Sequence, residues 1–138
     1  MAIENIKLSQ KERDGLLKLK RLTHIPNWNT LCRWAFCVSL ADTERPRNVR
    51  VISDSSLEMK WKVFGGKHHR IYMAMLIERC KQDGVKLGAD ELYHEFRLHL
   101  NRGINQLVLD KTLKGVKSLL QKAFIQQPPG DSLIEQQQ

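Results

Sequence analysis

Apolar and polar positions change period several times along this chain of 138 residues, and each change predicts a boundary between elements. Residues 3–8, Ile-Glu-Asn-Ile-Lys-Leu, alternate with period two and read as a short extended segment. Ser9 with Glu12 three residues later forms a capping box that opens a helix running to about Leu22. At 100° per residue, Leu8, Gly15, Leu16, Leu19 and Leu22 share one stripe, which faces the core. Pro26, inside the turn 23–27, cannot continue the backbone ladder and ends that helix.

The next stretch, residues 28–40, is apolar on two sides. Leu31, Trp34, Ala35 and Val38 make one face; Cys32, Phe36 and Leu40 cover much of the other, and Arg33 is the lone charge. A helix apolar nearly all round is buried nearly all round. The expectation is burial against another copy of the chain through Trp28, Leu31, Trp34, Phe36 and Val38.

Residues 42–57, with Pro46, Asn48, Asp54 and three serines, read as a loop. Residues 59–63 alternate apolar and basic and predict a short strand or extended arm. Gly65 and Gly66 then break the chain before a helix from about His68 to Asp83, closed by Gly84. A further helix from about Asp90 to Leu109 lines up Leu92, Phe96, Leu100, Gly103 and Leu107. A weaker one, about 113–124, stops before Pro128, Pro129 and Gly130, and residues 126–138 read as a flexible tail. The expected fold is mainly α, a single helical domain over residues 1–125. The extended segment, capped helix, turn and second helix resemble the ribbon-helix-helix (Met-repressor-like) arrangement, here extended by two to three further helices. In that family the ribbon pairs between two chains and its outward side chains enter the major groove. Asn5 and Lys7, on the face away from Ile6 and Leu8, match those positions.

Charge narrows the class of partner. The chain carries 23 Lys and Arg against 15 Asp and Glu, a net +8. Residues 1–70 hold 14 of the basic and 7 of the acidic side chains, so the positive field belongs almost entirely to the first half. A polyanion suits such a half, because basic side chains release condensed counterions from DNA. No apolar run approaches the ~18 residues of a membrane span, and the first residues lack a secretory pattern. Cys32, Cys37 and Cys80, each in an apolar or helical stretch, suit thiols of a reducing cytoplasm.

Candidate chemistry is sparse. His94-Glu95 with His99 has the residue types of a zinc-protease motif, but the histidines lie five apart, about 140° around a helix, rather than four. Asp83, Asp90, Glu91 and Glu95 cluster in sequence, and Asp90 and Glu91 read as capping charge at a helix start. No glycine-rich phosphate loop is present. The expectation is therefore no catalytic residue, no metal and no cofactor. The basic residues are the better candidates for DNA contact: Lys7 on the ribbon; Lys11, Lys18, Lys20 and Arg21 on the first helix; Lys60, Lys62, Lys67 and Arg70 around the Gly-Gly break. Trp61, interleaved among the last group, is either a core residue or a platform for an unpaired base.

Three stretches carry a more specific resemblance: IENIKLSQKERDGLLKLKRLTHIPNWNTLCRWAFCVSLA, then DSSLEMKWKVFGGKHHRIYMAMLIERC, then FRLHLNRGI. Together they resemble the DndE family of DNA sulfur-modification (phosphorothioation) proteins from about residue 3 to 105. The resemblance implies a bacterial, cytoplasmic, non-enzymatic subunit that forms a homo-oligomer, a tetramer. It also implies binding to double-stranded and nicked DNA with weak sequence preference, and work alongside other Dnd proteins. A ribbon-type transcriptional repressor and a metal-dependent nicking nuclease are the competing classes.

Overall fold

The computed structural model describes residues 3–125. In chain order it contains β1 (Asn5–Lys7), α1 (Gln10–Thr23), α2 (Trp28–Ala41), β2 (Glu58–Lys60), α3 (Trp61–Gly65), a 3-10 turn (Gly66–His68), α4 (His69–Gln82), α5 (Ala89–Leu109) and α6 (Val116–Ile125). The fold is mainly α with a ribbon-helix-helix-like start. The tail expected over 126–138 lies outside the described residues.

The capping box forms as the sequence dictates. Ser9 Oγ accepts from the Glu12 backbone N–H at 3.0 Å, and the Ser9 N–H donates to Glu12 Oε1 at 2.8 Å. At the other end of α1, His24 adopts a left-handed conformation, φ 60°, and its N–H closes on the Lys20 carbonyl at 2.9 Å. Leu8, Leu16 and Leu19 are buried along the predicted stripe.

The ribbon closes within one chain. β1 pairs antiparallel with β2 in the register Asn5↔Lys60, Ile6↔Met59, Lys7↔Glu58. Its other edge is covered by α5, since the Lys7 N–H donates to Tyr93 Oη at 3.2 Å and the Lys7 carbonyl accepts from Arg97. The strand that a two-chain ribbon would use is thus already paired on one side and capped on the other at Lys7. Ile6 and Leu8 are fully buried, and Asn5 and Lys7 face solvent.

β2 is shorter than the alternation suggested. The chain leaves it at Lys60, and Trp61 begins α3. A strand through 59–63 would send Met59, Trp61 and Val63 to one side. The helix instead turns Trp61 and Phe64 inward and leaves Val63 half-exposed. Phe36, Phe64 and Phe96 then meet with ring centroids 5.1–5.9 Å apart, and Trp61 stacks at 5.0 Å from both Phe64 and Phe96.

α5 runs through the centre, with Leu92, Phe96, Leu100, Gly103 and Leu107 all buried. It crosses α2 at Gly103, where a Cβ would lie 1.7 Å from the Ala35 carbonyl oxygen, so only glycine permits this approach. With α5 on one side and α1 and α3 on others, α2 is enclosed largely by its own chain. This corrects the expectation for two interface residues. Leu31 and Phe36 are core residues, 1% and 0% exposed, and cannot reach a second copy. Trp28, Trp34 and Val38 are only partly buried and remain at the surface of α2.

The 42–57 segment has no regular structure, yet it is tied down along its length. Arg79, buried in α4, donates to the carbonyls of Leu40, Asp42 and Glu44 at 2.7–2.9 Å. Arg102 adds a bond to the Glu44 carbonyl at 2.7 Å, and Arg97 bonds the Ile52 carbonyl and Ser53 Oγ, both at 2.8 Å. The segment therefore forms a strap across α5 rather than a free loop. Among the described residues, no helix is long and apolar enough to cross a membrane.

Candidate nucleic-acid interface

Eight of the nine basic residues singled out from the sequence are exposed: Lys7, Lys11, Lys18, Arg21, Lys60, Lys62, Lys67 and Arg70. None of the nine forms an ion pair with a described carboxylate. They fall into two groups. Lys11, Lys18 and Arg21 follow one side of α1, a row about 15 Å long at 1.5 Å per residue. Lys20 does not join that row. It is half-buried, and its ammonium lies 4.3 Å from the centroid of the Trp28 ring, a cation–π contact across the α1–α2 turn.

The second group surrounds an open cleft of about 740 Å³. Lys60, Lys62, Arg70 and His69 line it with Asn5, Ile3 and Met73, and Glu4 is its one carboxylate. Lys7 stands on the same exposed face of the ribbon as Lys60, and Lys67 lies on the 3-10 turn between α3 and α4. Trp61 forms part of the wall but is 5% exposed, and its Nε1 donates to the His69 carbonyl at 3.1 Å. It is a core residue and does not present a ring face for a base to stack on.

Sequence reading passed over the arginines of the strap. Arg47 and Arg50 are exposed and make no ion pair or side-chain hydrogen bond among the described residues. Arg50 and Lys11 line a common cavity of about 240 Å³ between the strap and α1. The signal for them is three arginines in six residues, Arg45, Arg47 and Arg50, within the loop that Pro46, Asn48 and the serines predict.

The interior cations contrast with these. Arg97 is 1% exposed and pairs with Glu12, itself 2% exposed, at 2.6 Å. Arg79 pairs with Asp83 at 3.0 Å, and Arg45, itself exposed, reaches in to the buried Glu95. Arg102 donates to Ser39 Oγ at 2.8 Å, and the same oxygen lies 2.9 Å from His99 Nδ1. Burial pushes the His99 imidazole down to about 4, helped by the positive charges of Arg79 and Arg102. Desolvation also raises the Cys32 thiol to about 12 and the Cys80 thiol to about 11, so both are protonated, unreactive core groups.

The candidates for metal or acid–base chemistry are not brought together. His94 hydrogen-bonds Asn48 at 2.8 Å, whereas His99 is buried beside Ser39. Of the four carboxylates clustered in sequence, Asp83 and Glu95 are held by arginines, and Asp90 and Glu91 occupy the first turn of α5. Among the described residues, no group of three or more His, Cys, Asp or Glu side chains is placed to hold a metal ion.

Comparison with known proteins places this geometry. A family model described as DNA sulphur modification protein DndE matches residues 5–115. The solved structure of DndE from Escherichia coli B7A, involved in DNA phosphorothioation modification, superposes with a TM-score of 0.66 at 25% identity, covering 78% of this chain and 98% of that one. A mutant DndE, also involved in DNA phosphorothioation, has the same fold, with a TM-score of 0.60 at 22% identity over 78% of this chain and all of the other. No curated protein sequence matches the chain.

Proposed function

The chain belongs to the DndE family of DNA sulphur modification proteins, and from that premise we propose that it is a non-enzymatic DNA-binding subunit of the bacterial phosphorothioation machinery, holding double-stranded and nicked DNA against a basic surface. One observation carries this reading. The exposed cations of α1, the ribbon and the α3–α4 cleft have no carboxylate partner among the described residues, while arginines in the interior are engaged. Unpaired cations spread over a surface suit a partner that is itself a line of negative charge. They contact phosphates and position the duplex without reading its sequence. A cytoplasmic homo-oligomer, a tetramer, fits the partly buried Trp28, Trp34 and Val38 left on α2, and other Dnd proteins are the further partners.

The test of DNA contact is Lys18→Glu with Arg21→Glu, measured against intact, nicked and gapped duplexes of unrelated sequence, with and without magnesium. Affinity should fall by a similar factor for every sequence, and each lost phosphate contact should flatten the salt dependence by about one unit of slope. A loss confined to one sequence would support the repressor, and strand cleavage requiring magnesium would support the nuclease. For assembly, Val38→Glu should convert the oligomer to monomers in light scattering at micromolar concentration, because a desolvated, unpaired charge costs several kcal/mol. An unmodified protein that is a stable monomer at that concentration would remove the oligomer from the reading.

A further inference from the structure

We infer that the 42–57 strap is a second, preformed DNA-contacting element whose Arg47 and Arg50 side chains enter the minor groove of a duplex lying along α1. The inference rests on the DNA-binding reading above and names a contact mode that α1 and the α3–α4 cleft do not supply.

The strap is built to hold a fixed backbone. Arg79, Arg97 and Arg102 each donate to its carbonyls, Arg45 from the strap pairs with buried Glu95, and Asp54 Oδ1 accepts from the Gln10 N–H at the start of α1 at 2.8 Å. Buried Pro46 fixes the backbone between Arg45 and Arg47. Yet residues 47–50 are all exposed. A connector that only joined α2 to β2 would have no need of such anchoring by three arginines of α4 and α5. A surface that must meet a rigid partner gains from it, since less order is lost on binding.

The cations this rigid segment presents are of one kind. Its basic residues are all arginines, whereas α1, β2 and α3 carry mostly lysines. Of the three, Arg45 is used internally, and Arg47 and Arg50 are free of partners among the described residues. Guanidinium is weakly hydrated and is favoured over ammonium in the narrow minor groove, where the negative potential is concentrated. Half-exposed Val49, between the two arginines, and Ile52, beyond them, supply apolar surface for the sugar walls of a groove. Arg50 shares its cavity with Lys11, so the strap adjoins the Lys11 end of the row formed by Lys11, Lys18 and Arg21. A duplex seated on that row brings its backbone to α1 and its neighbouring groove to the strap. Two acidic groups nearby are hydrogen-bonded, Asp54 to the Gln10 N–H and Asp14 to Gln10 Nε2 at 3.0 Å, and Glu44 is an exposed carboxylate of the strap three residues before Arg47.

The experiment compares the unmodified protein, Arg47→Ala with Arg50→Ala, and Arg47→Lys with Arg50→Lys, each folded by circular dichroism. The probes are two labelled duplexes of one sequence, one with guanine and one with inosine throughout. Inosine lacks only the amino group that guanine places in the minor groove. The inference expects the unmodified protein to bind the inosine duplex several-fold more tightly, the alanine pair to lose about tenfold in affinity together with that preference, and the lysine pair to keep most of the affinity but lose the preference. Equal affinity for the two duplexes by the unmodified protein overturns it, as does an unchanged preference in the alanine pair. Lys18→Glu with Arg21→Glu serves as the reference. If it abolishes binding while the alanine pair behaves as the unmodified protein, the strap faces a protein partner and only this inference falls. If the unmodified protein binds neither duplex, the DNA-binding reading falls with it.

Discussion

The cations inside this molecule and those on its surface do opposite jobs. Where α4 and α5 meet the strap, Arg79, Arg97 and Arg102 are engaged: each meets carbonyls, a carboxylate or a hydroxyl at 2.6–3.0 Å. On the side formed by α1, the ribbon and α3, lysines stand in solvent and form no ion pair with a described carboxylate. The difference teaches how a strongly basic sequence divides its charge. Guanidinium, with five donors in a fixed plane, can organise irregular backbone from within. Ammonium on a flexible stem stays hydrated and is spared for an external partner.

Breaking the interior side should have the largest effect. Arg97→Met leaves Glu12 buried without its cation and releases Lys7, Ile52 and Ser53. Unfolding by urea should show a loss of about 3–5 kcal/mol, with part of it recovered when Glu12→Leu is added. A loss below about 1 kcal/mol would mean that the pair is not desolvated and that the contrast between the two sides is false.

His99, set between Arg79 and Arg102, gives the next effect and ties it to pH. Its folded value near 4 lies below the ordinary imidazole value of about 6.5. The unfolded chain therefore takes up a proton first as pH falls. Stability associated with neutral His99 is fully present above about pH 6.5 and is lost progressively towards pH 4, by about 3 kcal/mol at most. His99→Gln should flatten that part of the stability–pH curve; identical slopes for the two proteins between pH 6.5 and 4 would count against a desolvated imidazole.

The exposed side should barely register in the same assay. Lys18→Glu with Arg21→Glu should change stability by no more than about 1 kcal/mol, mostly from acid placed at the C-terminal end of α1. The same variant is expected to lose DNA binding, so a large drop in stability would undo its use as a test of function.

Local signals in the sequence carried much of this architecture. Ser9 and Glu12, three apart, announced the start of α1, and the stripe from Leu92 to Leu107 announced the buried side of α5, because capping and helical period depend on neighbours a few residues away. What was hidden depends on distant partners. Trp61 and Val63 alternate like a strand, but the pull of Phe36, Phe64 and Phe96 winds them into α3. Arg97 looks like any surface charge in a helix until folding sets it against Glu12 and Lys7, 85 and 90 residues away in sequence. Phe36 looked like half of a second apolar face because nothing local says that α3 and α5 will cover it. For the candidate site, the lysines were legible as charge, since exposure is what a lone lysine ordinarily has. The division between α1 and the cleft was not, and neither was the strap, whose meaning comes from the arginines beneath it.

The ribbon closed within one chain also has a consequence in time. β1 emerges from the ribosome long before Glu58–Lys60 can pair with it, and 90 residues before Arg97 can cap its second edge. At roughly 5–20 residues per second, that second edge stays open for about 5–18 s of synthesis. An open strand edge is a template for any other extended chain. On a crowded polysome, neighbouring nascent copies present the same strand at the same moment. Slowing translation between Lys60 and Arg97 should therefore raise the yield of aggregated product, and a synonymous recoding of that stretch would lengthen or shorten the window without altering the finished protein.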